Sequence, residues 1–179
     1  TSAIIAKELK ALGYDVITSI AKTGVAGVLK NGDGPVVMYR ADMDCNSVKE
    51  ITGLPYASTK TMKKDDGSEV PVMHACGHDV HTTCLLGAAK ILKELSNEWE
   101  GTVKLVFQPG EEKNPGGASL MIRDGVLENP KPQAILALHV NTILEVGQLS
   151  FRGGKVMASA DELYFTIKTQ KKNEKIFRF

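Results

Sequence analysis

The sequence is poor in the features that would place it quickly. It has three cysteines in 179 residues, Cys45, Cys76 and Cys84. That odd, small number is no disulfide framework and points to a reducing, cytoplasmic setting. No stretch approaches the roughly 18 apolar residues of a membrane span. The opening lacks the charged-then-apolar pattern of a secretory leader, although the chain begins at Thr1 rather than Met and its natural start is open. Gly-x-Ser-x-Gly is absent, which argues against a serine hydrolase. Gly116-Gly117 has no following Lys-Ser/Thr, so it is no phosphate-binding loop. A net charge of +1 gives no overall reason to expect nucleic acid or an anionic membrane as partner. The charge is uneven, however. Residues 168–179 carry five cations and one carboxylate, a net of +4, which leaves −3 on the rest. That basic end reads as a solvated or frayed terminus.

What is present is a globular composition. A hydrophobic content of 42% and a charged content of 24% suit one ordinary domain with its own core. Ser2 to Leu12 places Ile4, Ile5, Leu9 and Leu12 near helical spacing, ended by Gly13. Tyr14 to Ile20 reads as a short strand. Gly27–Lys30, the turn Asn31-Gly32-Asp33-Gly34 and Pro35–Tyr39 read as a β-hairpin. Val80 to Leu95 is the clearest helix, with Asp79 as its expected N-cap. Val103–Phe107 reads as a strand, Ala118–Arg123 as a short helix capped near Gly125, and Ala134–Leu138 as a strand buried on both faces. Beyond Gly147 short strands return, with Leu163, Phe165 and Ile167 alternating. Strand and helix alternate through the middle, which predicts an α/β fold with a mostly parallel sheet.

The polar residues of interest fall where such a sheet binds ligands, beyond the carboxyl ends of its strands. Asp42 and Asp44 follow one strand, Glu111 and Glu112 another, and His139 a third; Cys76 and His78 precede the long helix. Three of the four histidines, His74, His78 and His81, and Cys76 lie within eight residues. Thiolate and imidazole are strong zinc ligands. An isolated Cys-x-His is more often structural, and Glu-Glu is usually a solvated turn. Together with His139, however, they compose a donor set. Two carboxylates as close as Glu111 and Glu112 are costly unless a cation or proton is shared. A metal resolves this if one ligates and the other acts as general base on metal-bound water. Asp42, Asp44, Asp79 and His74 are candidates to orient the ligands. Asp44 closing a turn and Asp79 capping the helix are their simpler readings. His81 is the least certain of the histidines.

Arg40-Ala41-Asp42-Met43-Asp44, His74-Ala75-Cys76-Gly77-His78-Asp79, Phe107-Gln108-Pro109-Gly110-Glu111-Glu112, Gly116-Gly117-Ala118, Leu138-His139 and Gly154–Asp161 resemble, in order and spacing, the metal-dependent amidohydrolases of the aminoacylase and zinc carboxypeptidase superfamily. The nearest branch contains N-acyl-amino-acid, hippurate and indole-acetyl-amino-acid hydrolases. The resemblance implies a three-layer α/β fold, a mostly parallel or mixed sheet with helices on both faces, as in di-metal exopeptidases. It implies a site for two divalent ions (Zn, Mn, Co or Ni). Cys76 would bridge them, with His78, Glu112 and His139 as further ligands. Glu111 would be the general base with Asp79 as a second catalytic residue, and Asp42 and Asp79 would support the ligands. The implied substrate is a small N-acyl amino acid or peptide-like amide. The implied assembly is a homodimer formed through a lid domain.

The resemblance covers roughly residues 1–168 and implies that they form a partial catalytic domain, with 169–179 as a divergent basic tail where the lid would begin. Thr169–Lys175 stands where the family runs into a Gly-rich segment ending in Gly-Gly-His. Cys45-Asn46-Ser47 stands where members carry a small or apolar residue and Leu-Pro. Two other readings follow. One is a truncated, catalytically inactive metal-binding fragment, or the partner of a separate chain. The other is a structural α/β domain with Cys76 inert. A zinc-finger module is disfavoured, because no second Cys/His pair stands at finger spacing.

Overall fold

The computed structural model describes residues 1–157, 164–167 and 175–178. The chain divides into two compact units, Thr1–Asn141 and Thr142–Phe179.

The first unit holds α1 (Ser2–Ala11), β1 (Asp15–Ile20), β2 (Gly24–Asn31), β3 (Val36–Asp42), a small hairpin of β4 (Thr61–Lys63) and β5 (Glu69–Pro71), α2 (His78–Glu94), β6 (Gly101–Gln108), α3 (Gly117–Arg123) and β7 (Ala134–Ala137). Its main sheet has the order β1-β2-β6-β3-β7. The β1–β2 and β2–β6 pairs are antiparallel, and β6–β3 and β3–β7 are parallel. The sheet is therefore mixed, with helices on both faces as the sequence predicts.

Alternation along the strands sorts the core into two layers. Val25, Leu29, Ala41, Leu105 and Phe107 face Ile5 and Leu9 of α1 and Leu85 and Ala89 of α2. Ala26, Met38 and Val106 face Met121 of α3 and Val126. Burying each of the larger side chains is worth about 1.5–3 kcal/mol. Gly27 lets α1 approach β2, because a Cβ there would lie 2.9 Å from Leu9 Cδ1. Tyr14 donates its hydroxyl proton to Ala89 O at 2.9 Å, tying the start of β1 to α2.

Three sequence expectations change. The hairpin of Gly27–Lys30 with Pro35–Tyr39 does not form. β6 lies between β2 and β3 and pairs with both. The turn signal reports the chain reversal correctly, since β2 and β3 do run antiparallel. It cannot report that the apolar β6 takes the central place between them. Asn31 is instead held from the far side, donating to Ser96 O and Trp99 O.

The second change concerns β7, expected to be buried on both faces. It pairs only with β3 among the described residues, and all four of its residues are exposed. Its apolar composition suits a central strand, but it stands at the sheet edge.

The third change is at the start of α2. Its N-cap is Gly77, at φ +79°, and not Asp79. The Val80 and His81 amides both reach Gly77 O, at 3.0 and 3.2 Å, so the helix begins two residues earlier than the polar pattern suggests. Asp79 sits in the first turn, where a carboxylate suits the helix dipole.

In the second unit β8 (Tyr164–Ile167) pairs antiparallel with β9 (Lys175–Arg178), so part of the expected frayed end is a strand. Expectations resting on residues 158–163 and 168–174 lie outside the described residues. Among the described residues no helix is long and apolar enough to cross a membrane.

Candidate metal centre

Three neighbouring parallel strands deliver the site. Asp42 ends β3. Glu111 and Glu112 follow β6 through the Pro109-Gly110 turn. His139 follows β7 by two residues, and α2 brings His78 and His81 from one side. The αL glycine at 77 reverses the chain between Cys76 and His78, so both reach the same centre. Only a glycine fits easily, because a Cβ at 77 would meet Val140 Cγ2 at 2.5 Å as well as strain the backbone.

His78 is the hub. It is 1% exposed, and its Nε2 is buried with no hydrogen-bond partner. Around that atom lie Asp42 Oδ2 at 3.7 Å, Glu112 Oε1 at 3.7 Å and Glu111 Oε2 at 3.9 Å. Its other nitrogen is held from behind. Nδ1 lies 3.1 Å from Asp44 O and 3.2 Å from Asp44 Oδ1. With the proton on Nδ1, the Nε2 lone pair faces the carboxylates. Asp44 also accepts the Glu112 backbone N–H at 3.1 Å, so one residue sets both His78 and Glu112.

Cys76 Sγ lies 3.4 Å from His139 Nε2. Donor atoms of Cys76, His78 and His139 fall within 4.8 Å of one another, as do those of His78, Glu111 and Glu112. His78 belongs to both groups. Burial, and then the Glu112 carboxylate beside it, push the Cys76 thiol up to about 11, with Glu111 and Asp42 adding to the effect. A thiol, the Glu111 and Glu112 carboxylates and a partnerless imidazole nitrogen thus converge on one point, beside an Asp42 carboxylate that Arg40 pairs. A divalent cation fits that donor set, and the unsatisfied Nε2 is the clearest sign of it.

Asp42 is buried and fully engaged. Its Oδ1 accepts from His81 Nδ1 at 2.5 Å, and its Oδ2 pairs with Arg40 Nη1 at 2.9 Å. Burial works to raise its carboxyl, but the His81 hydrogen bond and the Arg40 guanidinium, with His78 and His81 alongside, outweigh it and hold the group below the usual carboxylate range. Arg40 is itself oriented by Gln108, which accepts from Nε at 2.8 Å.

The structure therefore brings together Cys76, His78, Glu111, Glu112 and His139, with Asp42 and Asp44 against them. It does not bring in Asp79, which is exposed and, among the described residues, makes no side-chain hydrogen bond or ion pair. Nor does it bring in His74, whose buried Nδ1 is unpartnered and which belongs to none of the donor groups. Sequence reasoning undervalued His81, Arg40 and Gln108. The available signals were the i, i+3 spacing of His78 and His81 and the i, i+2 spacing of Arg40 and Asp42 on one strand face.

The sequence profile of peptidase family M20/M25/M40 matches residues 38–172, three quarters of the chain. The chain belongs to that family. Among M20 relatives, IAA-amino acid hydrolase ILR1-like 5 of Arabidopsis thaliana is 44% identical over 168 residues, 93% of this chain and 36% of that protein. Hippurate hydrolase of Campylobacter jejuni is 43% identical over 162 residues, 90% of this chain and 39% of that one. The Bacillus subtilis YXEP protein, a dinuclear metal binding peptidase from the M20 family, superposes with a TM-score of 0.70 at 35% identity, over 82% of this chain and 38% of that one. The chain thus spans little more than a third of the length of these relatives.

Proposed function

We infer that this chain carries the metal-binding portion of an M20 amide hydrolase acting on N-acyl amino acids or related small amides. The observation that carries the reading is His78 Nε2, buried without a partner at the meeting point of Cys76, Glu111, Glu112 and His139. The relatives named for hydrolysis of IAA-amino acids and hippurate supply the substrate class.

In this proposal Cys76, His78, Glu112 and His139 hold a pair of divalent ions, drawn from Zn, Mn, Co or Ni. When bound, those ions polarise the scissile carbonyl and lower the pKa of water. Glu111 is the more exposed carboxylate of its pair, at 44% against 31%, which suits a group that must reach substrate. It takes a proton from the attacking water as oxygen adds to the amide carbonyl, then gives that proton to the amine nitrogen as the C–N bond breaks. Asp44 orients His78 and Glu112, and Asp42 holds Arg40 and His81 around the centre. Asp79 acts at the helix start rather than on substrate.

The experiment is Glu111→Gln beside wild type, with elemental mass spectrometry for metal and an amine-release assay on N-acyl amino acids. The reading expects metal retained and hydrolysis lost by at least ~100-fold. Undiminished hydrolysis would remove Glu111 from its role. Metal binding with no hydrolysis by wild type would favour the second reading, a metal-binding fragment whose catalysis needs chain supplied from elsewhere. The chain's coverage of little more than a third of its relatives motivates that reading.

A further inference from the structure

His81 lies in the middle of the donor cluster and yet is spoken for at both nitrogens. Nδ1 is 2.5 Å from Asp42 Oδ1, and Nε2 accepts the Val140 backbone N–H at 2.9 Å. An accepting Nε2 leaves the proton on Nδ1, where it is donated to Asp42. The ring is therefore fixed in one tautomer with no lone pair left for an ion, although Asp42, His78 and His81 are near enough to one another to hold one. What His81 grips is the residue after His139. Its ring also meets the His139 ring edge-on, with centroids 4.4 Å apart. From the other side Val140 is seated against Gly77, within the turn that separates Cys76 from His78.

We propose that His81 is a positioning residue: a strut from the Asp42 carboxylate to the Val140 amide that sets His139 opposite Cys76. The exposed strand β7 ends at Ala137, so His139 lies on the segment that follows it, with its Nδ1 2.7 Å from Val140 O. Asp42, buried and paired with Arg40, is the fixed end, and the Val140 amide is the end that must be captured. Without the strut, His139 Nε2 loses its register with Cys76 Sγ, while Cys76, His78 and Glu112 keep theirs through Gly77 and Asp44.

The effect on metal rests on the reading under Proposed function; the strut itself does not. Zn2+ affinity is measured for the 179-residue chain, His81→Ala, His81→Gln, His139→Ala and the His81→Ala/His139→Ala double variant, together with amide exchange at Val140. His81→Ala should weaken Zn2+ about 10- to 100-fold. The double variant should be no weaker than His139→Ala alone, because His81 acts through His139. His81→Gln, whose amide can also donate to Asp42 and accept from Val140, should recover most of the loss. Losses that add in the double variant would overturn the proposal. If wild type binds no Zn2+, the metal reading fails and amide exchange decides the strut. Val140 protection lost in His81→Ala and kept in His81→Gln supports it, and protection unchanged in His81→Ala overturns it.

Discussion

Cys76 Sγ and His139 Nε2 stand 3.4 Å apart, although 63 residues separate them in the chain. One comes from the turn before α2, the other from beyond the edge strand β7. A shared ion would place both in its coordination shell and displace the thiol proton to solvent. Zn2+ should therefore protect Cys76 from iodoacetamide. Cys84 is exposed and belongs to none of the donor groups, so it serves as an internal reference. Peptide mass spectrometry should show Cys76 alkylation slowed at least ~10-fold by Zn2+, with the Cys84 rate unchanged.

Gly77 is predicted to be intolerant of any side chain. At φ +79° a non-glycine residue is strained, and its Cβ would meet Val140. Gly77→Ala should lower stability by about 1–3 kcal/mol, read from urea unfolding. It should also weaken Zn2+ binding, because it disturbs Cys76, His78 and Val140 together.

Tyr14 gives a pH-dependent test away from the centre. Burial raises its hydroxyl from 10.0 to about 12. The folded chain thus keeps a proton that the unfolded chain releases near pH 10. The contribution is complete below pH 10 and is lost as pH rises toward 12. Tyr14→Phe should cost about 1 kcal/mol at neutral pH through the lost bond to Ala89 O. Urea unfolding at about pH 8 and about pH 11 should show wild type losing more stability than Tyr14→Phe over that interval.

Lys104 is a buried cation in the middle of β6. Its Nζ donates to Glu128 O at 2.6 Å and Pro130 O at 3.2 Å, pinning the loop that leads into β7. Lys104→Ala removes both bonds and the packing of the buried stem, and should cost about 1–3 kcal/mol by urea unfolding.

Much of this was legible in the sequence because it depends on local signals. Helical spacing and Gly13 delimit α1, the Leu85 and Ala89 face marks α2, and the apolar Val103–Phe107 run marks β6. The donor residues were legible because each follows a strand or precedes a helix. Strand order was not, because Asn31–Gly34 encodes a reversal and says nothing of the strand inserted between its arms. Burial of β7 was misjudged because composition records what a strand is suited to, and its exposure here follows from having β3 as its one neighbour among the described residues. The N-cap was misplaced because Asp79 is a better cap by residue type, while the site needs the left-handed backbone that Gly77 supplies. His81 was undervalued because its role depends on Val140, a backbone amide that no side-chain pattern reveals.

The most direct test of the central claim is bound metal per chain, measured by elemental mass spectrometry on wild type and Cys76→Ser after identical incubation with Zn2+ and removal of free ion. A donor set converging on His78 Nε2 predicts one to two ions per wild-type chain, with occupancy lost or sharply reduced in Cys76→Ser. Wild type without metal, or equal occupancy in the two proteins, would contradict it.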